Sequence, residues 1–100
     1  MQLAAPTPDA QPDLSELESS ARRWASRARA LVNRAACDDQ ENALGVAAFQ
    51  LNSAAQWLSR GDTDKARDSL RTACSYAGSE EAMAPQLADA TRTLLGALPA

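Results

Sequence analysis

A small antiparallel bundle of about four α-helices is the fold this sequence predicts, and three observations predict it. Of 100 residues 45% are hydrophobic, but 23 of these are Ala and 12 are Leu, both strong helix formers. There is no Ile, and there are only two Val and five Thr, so the β-branched residues that cover a pleated sheet are nearly missing. Apolar residues recur at steps of three and four, and Asp, Gly and Pro stand where such runs begin and end. Short links between helices favour antiparallel neighbours, that is, helical hairpins.

Residues 1–12 hold Pro6, Pro8 and Pro12 among small and polar neighbours and read as a flexible, disordered tail. Residues 13–100 read as one all-α domain. A first helix is expected over 14–36, capped by Asp13 with Glu16 three positions on, as in a capping box. Leu14, Leu17, Ala21, Trp24, Ala28, Leu31 and Ala35 form a heptad seam along it. A second helix is expected over 40–60, capped by Asp38 or Asp39. One stripe carries Leu44, Ala47, Ala48, Leu51, Ala54, Ala55 and Leu58, and a second carries Val46, Phe49 and Trp57. Gly61 ends this helix, and Asp62 caps a third that runs to Ala77, where Gly78 stops it. Its stripe is Ala66, Leu70, Ala73 and Ala77. Pro85 suits the first position of a fourth helix, which runs to Ala97 with Leu87, Thr91, Leu94, Leu95 and Leu98 inward.

Composition also bounds the chemistry. No His is present, so the usual catalytic base and the commonest metal ligand are missing. The acid pairs Asp38–Asp39, Asp62–Asp64 and Glu80–Glu81 stand at helix starts, where capping and the helix dipole account for them. Asp62, Asp64 and Asp68 lack the Gly and the terminal Glu of a calcium loop. The expectation is no enzyme, no metal and no cofactor. No apolar stretch approaches the ~20 residues of a membrane span, and the first residues lack a secretion signal. A soluble, cytoplasmic protein is expected. Cys37 and Cys74 then read as small buried hydrophobes, with a redox pair as the alternative.

Two groups of side chains point to partners. Between Ser19 and Cys37 stand Arg22, Arg23, Arg27, Arg29 and Arg34 with no acid, so that segment carries +5 and the rest of the chain −8 of the net −3. Such a flank grips an acidic protein partner, contacts phosphates, or is simply solvated. The acidic pI of about 4.8 weighs against nucleic acid. Val46, Phe49 and Trp57 form either core or an anchor for a partner helix.

Ala54, Trp57, Gly61, Ala66, Leu70 and Ala73 follow the order of small residue, aromatic, turn Gly, then small, large, small. Over residues 50–78 this resembles one tetratricopeptide hairpin, although Ser53 stands where that family has Leu and Gly78 where it has Pro. The resemblance implies a helical protein-binding scaffold. The function expected is a small non-enzymatic interaction module, an adaptor, chaperone-like subunit or inhibitor. Its contact residues would be Phe49, Trp57, Val46, Arg22, Arg23, Arg27, Arg29 and Arg34. The alternative is a nucleic-acid-associated regulator using the arginines, and a homodimer through the first helix's seam is a further expectation.

Overall fold

Four helices follow one another, α1 (Leu14–Val32), α2 (Asp38–Ser59), α3 (Thr63–Ser79) and α4 (Pro85–Ala97), in a computed structural model that describes residues 14–99. The Pro-rich tail and the Asp13 cap lie outside the described residues. Each helix packs on the next, α4 closes back on α1, and the diagonal pairs stand apart. The links are short, so neighbours run antiparallel, up-down-up-down. All regular structure among the described residues is helical. No described helix is long and apolar enough to cross a membrane.

The core follows from the stripes. All seven residues of the main α2 stripe, Leu44 to Leu58, are buried, and so are Ala66, Leu70, Ala73 and Ala77 of α3. Most of these are Ala, so helix axes approach closely and the contact is made partly by backbone. Leu87, Ala88, Thr91 and Leu94 are the buried face of α4. Thr91 is fully buried, and its hydroxyl donates to the Ala88 carbonyl at 2.8 Å, so the polar atom is satisfied within the helix.

Several boundaries differ from expectation. α1 stops at Val32, four residues early, because the chain must turn back before α2; the N–H groups of Arg34 and Ala35 close that turn on Leu31 and Val32. The α2 cap is Cys37, in extended backbone, and its carbonyl accepts from the Glu41 N–H. Asp38 and Asp39 are therefore in the first turn rather than at the cap, and there they meet the positive end of the dipole. Gly78 does not stop α3, which runs through it to Ser79; among the glycines only Gly61 takes a positive φ, of 76°. Glu80 and Glu81 lie in the turn before α4, whose own first turn has no acid. Asp62 caps α3 as expected, accepting from the Lys65 N–H at 3.1 Å. Cys37 is exposed and Cys74 half-buried, so neither is a fully buried hydrophobe, and no bond joins them.

The seam of α1 is turned slightly from its expected direction. Ala21, Ala25 and Ala28 are its buried residues. Trp24 and Leu31 are only partly buried, at the edge that faces α4. Ala21 and Ala28 of the seam are fully covered within the chain, while Leu14, Leu17, Trp24 and Leu31 are only partly buried.

Candidate functional site

The loosest junction of the bundle lies between α1 and α4. It leaves a groove of about 590 Å³ lined on the α1 side by Trp24, Arg27, Leu31 and Arg34 and on the α4 side by Met83, Ala84 and Leu87. The groove continues past Trp24 and Arg27 along α4, beside Gln86, Asp89 and Thr93. Its floor is apolar because α1 turns its large seam residues, not its alanines, toward α4. Its α1 rim is cationic. Arg27 lies over the Trp24 ring at 4.6 Å from the centroid, which holds that charge against the groove. Arg34 reaches the same groove from the turn after α1. On the opposite rim, Asp89 is tied to Arg92 on its own helix at 3.9 Å.

The five arginines are all exposed but do not form one surface. Arg27 and Arg34 border the α4 groove, and helical spacing places Arg23 beside them. Arg22 and Arg29 lie on the other flank of α1. Arg22 is held by Glu18, four residues back, at 3.0 Å. Arg29 faces α2, in a shallow depression shared with Val32, Val46 and Phe49. No acid pairs with Arg23, Arg27, Arg29 or Arg34 among the described residues.

The proposed aromatic pair is divided as well. Phe49 is 62% exposed, on the side of α2 opposite the buried stripe, with Val46 half-buried beside it. Trp57 packs partly against the core near the α2–α3 turn, where Arg60 and Lys65 stand over its ring at 5.3 and 4.5 Å. It is a clamp for that turn more than an open anchor. Within the hairpin that resembles a tetratricopeptide unit, Ala54, Ala66, Leu70 and Ala73 are buried.

The sequence puts Trp24 on the seam of α1, and only the packing of α4 brings Met83 and Leu87 to it in the groove. The signal available was weak: Trp is too large to pair with Ala across a tight seam without widening it. Among the described residues no three His, Cys, Asp or Glu side chains converge where a metal ion could sit. Comparison with known proteins yields no matching family model, no matching curated protein and no matching solved structure.

Proposed function

We propose that this chain is a small non-enzymatic interaction module that holds an acidic amphipathic segment of a larger protein in the groove between α1 and α4. One observation carries the reading: an apolar floor of Trp24, Leu31, Met83 and Leu87 is bordered by Arg27 and Arg34, neither of which has an acid partner among the described residues. Apolar side chains of a partner helix fill the floor, and its carboxylates meet the guanidiniums. The α4 start adds to the same sign, since Ala84 at its N-cap offers no side-chain acceptor and the helix dipole is positive there. The adaptor, chaperone-like or inhibitor role follows from which protein supplies the segment.

The test is selection from a displayed library of helical segments, followed by titration of the winners. Enrichment of acidic amphipathic sequences is expected. The double variant Arg27→Glu, Arg34→Glu should bind them at least about tenfold more weakly, a loss of ~1.4 kcal/mol, with the fold kept and the melting temperature lowered by only a few degrees through loss of the Arg27–Trp24 contact. Winners without acids, or winners indifferent to the double variant, overturn the reading. Binding of duplex DNA in place of peptide, with affinity falling steeply as salt rises, would assign the arginines to phosphates.

A further inference from the structure

The groove leaves the outer face of α2 unexplained, and this face has a symmetry of its own. Asp38, Phe49 and Arg60 are spaced by eleven residues, close to three helical turns, so they fall on one line along the helix. All three are exposed. Around Phe49 three of the flanking pairs match in both directions, while the pair three residues away, Val46 and Asn52, sets an apolar residue against an amide. Gly45 and Ser53 lie four residues to either side, both small. Asn42 and Gln56 lie seven to either side, and both carry amides that form no hydrogen bond among the described residues. An acid stands at one end and a cation at the other, and neither has an ion-pair partner among the described residues.

We propose that this face is an isologous dimer interface, in which α2 of a second copy of the chain lies antiparallel across Phe49. A two-fold contact requires a face that matches its own reversal. Reversal about Phe49 sets Asp38 of each copy against Arg60 of the other, Asn42 against Gln56, and Gly45 against Ser53. The small residues let the two phenyl rings settle between the helices.

Gly45 fits the same contact. A glycine inside a helix lowers helix stability relative to Ala. A Cβ at Gly45 would meet nothing within 4 Å, so packing inside the chain does not call for it. The same holds for Gly78 in α3 and Gly96 in α4, and what sets Gly45 apart is its place one turn from Phe49. The groove lies on the α4 side of α1 and the dimer face on α2, so each dimer presents two grooves at once and binds a bivalent partner more tightly than a monomer does.

Sedimentation of the full chain between about 1 μM and 1 mM tests the proposal, because a face one helix wide gives micromolar rather than tighter association. A reversible monomer–dimer equilibrium is expected. Phe49→Asp should abolish it without unfolding the chain, since Phe49 is exposed. Gly45→Ala should raise the melting temperature of dilute protein by a few degrees yet weaken association about tenfold. Asp38→Arg and Arg60→Asp should each weaken the dimer, and the two together should restore it. The Arg27→Glu, Arg34→Glu variant should dimerise normally, which separates this surface from the groove. A chain monomeric at 1 mM, a dimer indifferent to Phe49→Asp, or a Gly45→Ala variant that dimerises as well as wild type overturns the proposal.

Discussion

Asp62 shows how one side chain can set a junction. Its carboxylate accepts from the Lys65 N–H, while Gly61 before it takes the positive φ that lets α2 end and α3 begin within three residues. Lys65 in turn stands over Trp57, so cap, turn and aromatic form one unit. Asp62→Ala should cost about 1 kcal/mol of stability, read as a lower midpoint in urea with an unchanged slope. Both features are legible in the sequence, because Gly-Asp after an apolar run admits few other readings. The environments of Phe49, Trp57 and Trp24 are not legible in the same way. Each is a large apolar residue at helical spacing, yet one is exposed, one is covered by cations and one floors a groove. What separates them is the distance to the neighbouring helix.

At the scale of the helix, small residues decide how closely elements pack. α2 buries eight side chains, five of them Ala, and receives α1 and α3 on either side. Ala47 is fully buried. Ala47→Leu should therefore destabilise by about 1–3 kcal/mol through overpacking, although Leu is a good helix former; thermal unfolding measures the loss. The opposite sign is expected at Gly45, where a methyl group meets open space. α1 teaches a different lesson. Its period is clear, but its end is not, since no Gly or Pro follows Val32 and the helix stops only because α2 needs room to return.

Across the whole molecule the four junctions are unequal. α4 buries four side chains, half as many as α2, and meets α1 through the open groove. Its far end is tied to α3 by the Arg67 guanidinium, which donates to the Pro99 carbonyl and also pairs with Asp64 at 3.1 Å. Native-state hydrogen exchange should therefore show α4 amides opening at lower free energy than those of α2; equal protection of the two helices would contradict this ranking. A helix that loosens first beside a groove can adjust to what enters, and this suits a module that binds segments rather than small molecules. An Ala-rich core of this size leaves little stability to spare, so occupation of the groove should also raise the melting temperature.

The sequence by itself determined the helical class, the number of helices, the buried stripe of α2 and the Asp62 and Pro85 starts. Each of these rests on local physics: side-chain period, capping chemistry and fixed φ act within a few residues. Only the tertiary structure decided that Trp24 and Leu31 floor a groove with Met83 and Leu87, and that Phe49 and Trp57 part company. Those outcomes depend on how far each helix stands from its neighbour, and that distance is set jointly by the residues of two helices far apart in the chain.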